Sequence, residues 1–144
     1  QMCIRDSPLD CLLSVYRAHF ASGGAGYSSS LLDSVRLLIE QETQMRSYKS
    51  VNELSIYTLQ YDQLVVSSEL HVRNLIDWLG WDWSNDYLAP EKKVMPSSTA
   101  SFVQIRRPIN DRSLGVWRHY ADLLEAPRKL LIDSDLFSDF SFNV

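Results

Sequence analysis

The fold is interpreted from one stretch, SSTASFVQIRRPINDRSLGVWRHY at residues 97–120, because it concentrates side chains that are suited to bind a ligand. It combines small hydroxyl residues with an amide at Gln104, adjacent guanidinium groups at Arg106 and Arg107, and a turn at Pro108. Arginine binds phosphate through a planar fork of donors, and serine or threonine hydroxyls add short donors beside it. The residue types therefore suit a phosphate-bearing ligand.

The proline gives the two arginines different roles. Pro108 disfavours the helical conformation for the residue before it, so Arg107 is expected to be extended. Neighbouring side chains of an extended run point to opposite sides, so only one arginine can face a given ligand. We expect Arg107 to face the ligand and Arg106 to face solvent or a carboxylate.

A helix is predicted to follow the basic turn. Asn110 or Asp111 can cap a helix that starts at about Arg112, and the N–H groups of its first turn would favour a nearby anion. Trp117 is the predicted packing anchor of this helix. Taken alone, the composition favours a simpler interpretation, in which a surface loop with two solvated arginines precedes an ordinary amphipathic helix.

The run Ser101…Gln104…Arg107-Pro108-x-Asn110…Trp117 resembles the nucleotide-binding loop of the tyrosylprotein sulfotransferases and of their bacterial relatives that carry tetratricopeptide repeats. The resemblance implies that the serine, the glutamine, the arginine and, within the same motif, the asparagine line a site for 3′-phosphoadenosine 5′-phosphosulfate. This nucleotide is the sulfate donor and the expected co-substrate.

One position departs from the family pattern. The family often has Lys or Arg immediately before the tryptophan, whereas this chain has Val116. The contact of that basic residue is either lost here or taken over by Arg118.

A second segment, PLDCLLSVYRAHF at residues 8–20, resembles the family segment Arg-Asp-Pro-x-Asp-x-x-x-Ser. In the family the arginine and the serine hold the 3′-phosphate of the donor. Pro8, Asp10 and Ser14 match the corresponding positions of the family segment. Arg5 lies one residue away from the position of the family's arginine, so only Ser14 is assigned as a donor-binding residue. From the residues alone this segment is a core-facing helix, with the serine as a small residue at a helix crossing.

The segment SIYTLQYDQLV, residues 55–65, is predicted to be a buried strand that ends around Gln60 or Tyr61. It resembles the family strand that ends in Tyr-Glu-x-Leu-Val, in which the tyrosine reaches the donor nucleotide. Tyr61 occupies that position, and ligands of open α/β sheets bind beyond the carboxyl ends of strands. A tyrosine that only packs on the next helix is an equally weighted alternative.

Three further helices are predicted. The first runs from Leu31 to about Met45. The second begins at Ser67 or Ser68, buries Leu70 among other apolar residues and ends at Gly80 as a C-terminal cap. The third is short and starts at Ala126-Pro127. The tryptophans at and after the end of the second helix (Trp78, Trp81 and Trp83) are expected to be packing residues.

Composition excludes several classes of function. A chain of 144 residues with 45% hydrophobic content can bury one compact core, and its net charge of −4 argues against nucleic-acid binding. We expect no membrane span, because no segment is long and apolar enough. Two cysteines form neither a disulfide framework nor a metal pattern, and three scattered histidines share no ligand spacing, so no metal site is expected. A bacterial cytoplasmic location is the default.

The first seven residues, QMCIRDS, match the translation of a transposase sequencing adapter. We therefore interpret residues 1–7 as a non-native scar and residues 8–144 as the C-terminal fragment of one sulfotransferase domain. The alternative is an ordinary lead into the first helix, with Ser7 as its cap.

The resemblance implies an α/β fold related to P-loop kinases, mostly helical in this fragment, with one or two parallel strands. It also implies transfer of a sulfuryl group to an acceptor hydroxyl, which belongs to a peptide (for instance a protein tyrosine), to a glycan or to a small molecule. The phosphosulfate loop and the catalytic base are expected upstream, so the isolated fragment is expected to be inactive. The alternative is a non-enzymatic helical module that binds a protein partner; the sequence does not indicate an oligomeric state.

Overall fold

The computed structural model describes residues 2–18, 26–89 and 109–143. The chain divides into two compact units: the first comprises Gln1–Arg5 and Tyr57–Arg112, and the second comprises Asp6–Ile56 and Ser113–Val144. In chain order the strands and α-helices are β1 (Met2–Arg5), α1 (Pro8–Ala18), α2 (Leu31–Val51), β2 (Tyr57–Gln60), α3 (Tyr61–Val66), α4 (Ser68–Leu79) and α5 (Glu125–Asp133). Short 3-10 helices are Gly26–Ser29, Glu53–Ser55, Asn85–Leu88 and Val116–Tyr120.

The first unit is built on a parallel pair of strands. β1 lies beside β2 in a register that runs from Met2 opposite Tyr57 to Arg5 opposite Gln60. α3 and α4 follow β2 directly and pack against it. The described part of the chain is thus mostly helical with two parallel strands, which confirms the predicted fold class.

The ends of β2 and α4 lie where the sequence predicts them. β2 ends at Gln60, and Tyr61 begins α3. α4 ends at Gly80, which adopts the left-handed conformation (φ 68°) and donates its backbone N–H to the carbonyl oxygens of Asp77 and Ile76. Glycine occupies this conformation without the steric penalty of a Cβ atom, so it stops the helix at that residue.

The apolar face predicted for α4 is only partly buried. Ile76 is buried, but Leu70 and Trp81 are each 58% exposed, so the prediction that these two residues pack in a core is wrong. Trp78 contacts the ring of Tyr57 at a centroid distance of 5.4 Å. Hydrophobic spacing marks the side of a helix that can be buried, but burial requires an opposing surface.

Trp83 is fixed by polar neighbours instead of by a core. The guanidinium of Arg73 lies 3.9 Å from the centre of its ring, and the same guanidinium forms an ion pair with Glu69 at 2.7 Å. The indole N–H donates to the side-chain oxygen of Asn85 at 3.0 Å. The segment after α4 is therefore attached to that helix through a stacked cation.

The second unit contains the main core. α1 packs against α2, and α2 packs against α5. Buried apolar side chains from these helices and from the C-terminal segment form one cluster, consisting of Leu9, Leu12, Val35, Trp117, Leu124, Leu131 and Phe137. Phe140 and Phe142 lie partly buried against it, so the aromatic residues of the tail pack on this unit.

Local signals lie at the starts of α2 and α5 in the second unit. Ser30 caps α2 by accepting the backbone N–H of Asp33, and the helix continues to Val51, six residues beyond the predicted end at Met45. Pro127 is buried in the first turn of α5, where its missing N–H leaves no helical bond unmade. A local cap thus marks the start of α2 and a proline lies in the first turn of α5, whereas the length of α2 was underestimated.

The helix expected from Arg112 begins later and is of a different type. Residues 112–115 form a turn, and a 3-10 helix then spans Val116–Tyr120. Gly115 has φ 68°, a left-handed conformation that is incompatible with a continuous right-handed helix. Trp117 is buried, as predicted, but the helix that carries it follows Gly115, so neither Asn110 nor Asp111 caps it.

Residues 2–5 belong to the segment interpreted as an adapter scar. They form β1 and pair with β2, with Cys3 opposite Thr58 and Ile4 opposite Leu59. The pairing shows that this sequence can form a strand, but it does not indicate whether the residues are native. The adapter interpretation stays a prediction, and the encoding DNA would decide it.

Candidate functional site

Ser14 lies on α1 in the second unit. The helix buries Leu9, Leu12 and Leu13 against its neighbours, whereas Ser14 is exposed. Its hydroxyl is therefore not enclosed at a helix crossing. An exposed hydroxyl on a well-packed helix is a donor that a ligand can reach.

Tyr61 and Asn110 belong to the first unit. Tyr61 directly follows β2, at the carboxyl end of the strand, and is half-buried as the first residue of α3. Asn110 is exposed, and its side-chain oxygen lies 3.4 Å from the backbone nitrogen of Arg112, a contact within a turn. The tyrosine thus occupies a strand end, where ligands of α/β sheets bind.

The remaining predicted donor-binding residues, Ser101, Gln104 and Arg107, lie outside the described residues. Of the six predicted residues the structure describes Ser14 in the second unit and Tyr61 and Asn110 in the first. Their assembly into one site stays a prediction.

Asp10 has a structural role that the sequence did not indicate. Its carboxylate is buried (9% exposed) and accepts two backbone N–H groups, from Gly115 at Oδ2 and from Trp117 at Oδ1, both at 2.8 Å. Hydrogen bonds to an ionised acceptor are short and about twice as strong as neutral ones. The family segment places an aspartate here, but only the folded chain reveals which backbone groups it binds.

Arg118 is held beside Trp117. Its guanidinium carbon lies 4.8 Å from the centre of the indole ring, and its Nε donates to the backbone oxygen of Asn143 at 3.3 Å. A Cβ atom on Gly115 would come within 2.4 Å of its Nη1 atom, so the glycine leaves room for the guanidinium. Arg118 is an exposed cation next to the tryptophan, and its replacement of the basic residue absent at Val116 stays a prediction.

A shallow depression of about 290 Å³ adjoins α3 in the first unit. It is lined by Asp62, Gln63, Val66, Ser67 and His71. Within the described part of the chain, Oδ1 of Asp62 is buried and has no hydrogen-bond partner. An unpaired buried acceptor is unfavourable, so this oxygen would gain from any donor placed against it.

The thiol of Cys11, on α1, is perturbed. Burial is the larger cause and the nearby charge of Asp6 the smaller one, and both raise the pKa of Cys11 above its usual value. The thiol is therefore a poor nucleophile at neutral pH. Cys3 and Cys11 are both free.

The described residues contain no cluster of three or more His, Cys, Asp or Glu side chains that could hold a metal ion. Every helix within the same residues is too short or too polar to cross a bilayer.

Comparison with known proteins identifies the class. The model of a sulfotransferase family matches residues 2–85, which is more than half of the chain. The chain therefore belongs to the sulfotransferase family. The match includes Ser14 and Tyr61 and ends before the 97–120 stretch, so the assignment to tyrosylprotein or repeat-containing relatives stays a prediction.

The chain is also similar to a protein of another organism over most of its length. An uncharacterized protein of Aquifex aeolicus (strain VF5) is 28% identical to the chain over 123 residues. The alignment covers 84% of this chain but 16% of that protein. The chain thus spans about one sixth of the length of this relative.

Proposed function

We propose that the chain is part of a sulfotransferase that uses 3′-phosphoadenosine 5′-phosphosulfate and contributes the nucleotide-binding half of the donor site. The observation that carries the proposal is the sulfotransferase family match over residues 2–85, which includes two of the proposed donor-binding residues. The proposed contacts to the donor come from Ser14, Tyr61, Ser101, Gln104, Arg107 and Asn110.

The described residues have the exposure and the chemistry that this role needs. Ser14 offers an exposed hydroxyl to the 3′-phosphate, and Tyr61 offers an aromatic ring and a phenol at a strand end. Arg107 supplies the positive charge, which a bisphosphate requires and a hydroxyl cannot provide. The three groups are complementary to a nucleotide with an anionic end.

The proposed reaction is an in-line group transfer. The acceptor hydroxyl oxygen forms a bond to the donor sulfur, the bond between that sulfur and the bridging phosphate oxygen breaks, and the 3′,5′-bisphosphate leaves with the bonding electron pair. The hydroxyl proton passes to a general base. Such transfer depends on positioning of the donor and on donors that stabilise developing charge.

The catalytic base and the phosphosulfate loop are proposed to lie upstream of residue 8. The 144-residue chain alone is therefore expected to give no turnover with any acceptor, whether peptide, glycan or small molecule. Turnover by the purified chain would overturn this part of the proposal.

Arg107→Ala tests the donor site, with Arg106→Ala as its matched control. In the full-length gene product, loss of a charge-assisted contact is expected to weaken binding of adenosine 3′,5′-bisphosphate by about 1.5–3 kcal/mol. The control is expected to bind nearly as well as the unmodified protein, because its side chain is predicted to face away. Calorimetric titration measures both, and equal losses would remove the distinction between the two arginines.

One observation favours a second function, a helical module that binds a protein partner. Three apolar residues at and just after the end of α2, Tyr48, Val51 and Leu54, are each more than half exposed, and Leu54 reaches 92%. Exposed apolar groups of this kind are common at interaction surfaces. A module of this kind would not bind the bisphosphate, so the same titration separates the two functions.

A further inference from the structure

An apolar surface remains exposed at the carboxyl end of α4. Trp78, Leu79 and Trp81 are each more than a third exposed, and Trp81 reaches 58%. The backbone N–H of Trp81 donates to the carbonyl oxygen of Ile76 at 3.1 Å, which is the bond that closes the turn at a helix end of this type. Trp81 is therefore held beside the last turn of α4. We call Trp78, Leu79 and Trp81 the tryptophan face.

The same helix end is negatively charged. Asp77 lies in the last turn of α4, Asp82 directly follows Trp81, and both aspartates are exposed. The carboxyl end of a helix carries a partial negative charge and favours basic residues, but the last turn of α4 has none. Neither aspartate forms an ion pair within the described part of the chain. A cation bound at this end would therefore relieve repulsion that the chain leaves uncompensated.

An arginine is already held by an indole and a carboxylate in the same unit. The guanidinium of Arg73 lies 3.9 Å from the centre of the Trp83 ring, and its Nε and Nη2 atoms donate to Oε1 of Glu69 at 3.0 and 2.7 Å. The indole face attracts the cation, and the carboxylate adds charge-assisted hydrogen bonds. Trp81 and Asp82 offer the same two groups, and no arginine or lysine of the described residues stacks on Trp81.

We propose that the tryptophan face is a docking surface for an arginine-bearing peptide segment of a partner protein. The guanidinium of the partner stacks on the exposed indole of Trp81, and Asp77 or Asp82 accepts its hydrogen bonds. Arginine is favoured over lysine because its planar guanidinium stacks on aromatic rings and is less strongly hydrated than an ammonium. The inference does not depend on the donor site, because none of these residues is a proposed donor contact.

Fluorescence anisotropy of a labelled Gly-Arg-Gly-Arg-Gly peptide tests the docking surface on the full-length gene product. We expect saturable binding that is tighter than binding of the same peptide with lysine in place of arginine. Trp81→Ala is expected to weaken binding about tenfold, because the stacking surface is lost. Asp82→Asn is expected to weaken it about threefold, because one exposed charge pair is lost.

Two control variants lie in the second unit and remove the same kinds of group. Tyr48→Ala removes an aromatic side chain that is 54% exposed, and Asp122→Asn removes one exposed carboxylate. Both are expected to bind the peptide as tightly as the unmodified protein does. Circular dichroism checks that Trp81→Ala is folded. Asp82→Lys keeps the indole but reverses the charge, and it is expected to weaken binding more than Asp82→Asn does.

Three results would overturn the docking surface. Equal affinities for the arginine and lysine peptides, with no effect of Trp81→Ala, would indicate only a general attraction to a negatively charged protein. Binding by the 144-residue chain but not by the full-length gene product would show that another part of the same protein covers the face. Binding by neither would leave the face without a partner. Failure to bind adenosine 3′,5′-bisphosphate, by contrast, would contradict the proposed function alone.

Discussion

The two units bury their apolar side chains to different extents. The second unit encloses a cluster of seven buried side chains that includes Trp117 and Leu131. Among the described residues of the first unit, Leu59 and Ile76 are the buried hydrophobic residues, whereas Trp78 and Trp81 are exposed. Burial of apolar surface is the main favourable contribution to folding, so the second unit has the stronger internal support.

The sheet of the first unit leads to the same conclusion. Parallel strands normally occur in sheets that are covered on both faces, and an isolated pair of strands is marginally stable. The comparison shows that an apolar pattern specifies which face of an element is suited to burial, while the neighbours decide whether it is buried. α4 has the pattern without complete burial, and α1 has both.

The largest expected difference in stability comes from replacing two tryptophans, one buried and one exposed. Trp117 is 2% exposed in the core, so Trp117→Ala is expected to lower the free energy of unfolding of the second unit by about 3–5 kcal/mol. Trp81 is 58% exposed, so Trp81→Ala is expected to change stability by no more than about 0.5 kcal/mol. Denaturant unfolding followed by circular dichroism measures both changes.

Equal losses from the two substitutions would contradict the contrast. A large loss from Trp81→Ala alone would mean that the first unit depends on an apolar contact at that surface. Leu131→Ala, another substitution in the core, is expected to cost about 2–5 kcal/mol and checks that the core as a whole behaves alike.

The sequence predicted the elements whose signals are local. The helix start at Leu31, the helix end at Gly80 and the strand end at Gln60 all have causes within a few residues, and each lies where it was expected. The fold class followed from the family resemblance, because two short strands in a helical chain do not by themselves indicate a parallel sheet.

The sequence failed where contacts are distant. The helix expected at Arg112 starts at Val116 because Gly115 is left-handed and its N–H is bound by Asp10, more than one hundred residues earlier. The exposure of Trp81 was missed for a related reason, since spacing carries no information about what lies opposite. Ser14 and Tyr61 of the candidate site could be proposed from motifs. The hydrogen bonds that Asp10 accepts from the backbone of Gly115 and Trp117 could not.

A smaller test compares the two left-handed glycines, one in each unit. Gly80 and Gly115 both have φ 68°, so an alanine at either position is expected to cost about 1–2 kcal/mol in backbone strain. Nothing lies within 4 Å of the Cβ position at Gly80, whereas at Gly115 that position is 2.4 Å from Nη1 of Arg118. Gly115→Ala is therefore expected to be worse by about 0.5–1 kcal/mol, the value of an exposed cation–π contact.

Thermal and denaturant unfolding of the two variants give this difference. Gly26→Ala serves as the control, because Gly26 has neither a positive φ nor an atom within 4 Å of its Cβ position. A Gly80→Ala variant that loses more than Gly115→Ala would show that Arg118 moves aside without cost.

The smallest effect is confined to alkaline pH and contrasts the thiols of the two units, Cys3 and Cys11. Burial, and to a lesser extent the charge of Asp6, raise the pKa of Cys11 in the folded state. As the pH rises above about 8.5, the ordinary cysteine value, the unfolded chain loses this proton before the folded chain does, so the free energy of unfolding declines. The contribution of the protonated Cys11 thiol to stability is complete at neutral pH and is lost as the pH passes through the raised pKa.

Comparing denaturant unfolding at pH 7 and above pH 9, we expect Cys11→Ala to reduce the alkaline loss of stability. Cys3→Ala, the control for removing a thiol from the first unit, is expected to retain that loss, and an equal reduction in both variants would refute a role for the environment of Cys11.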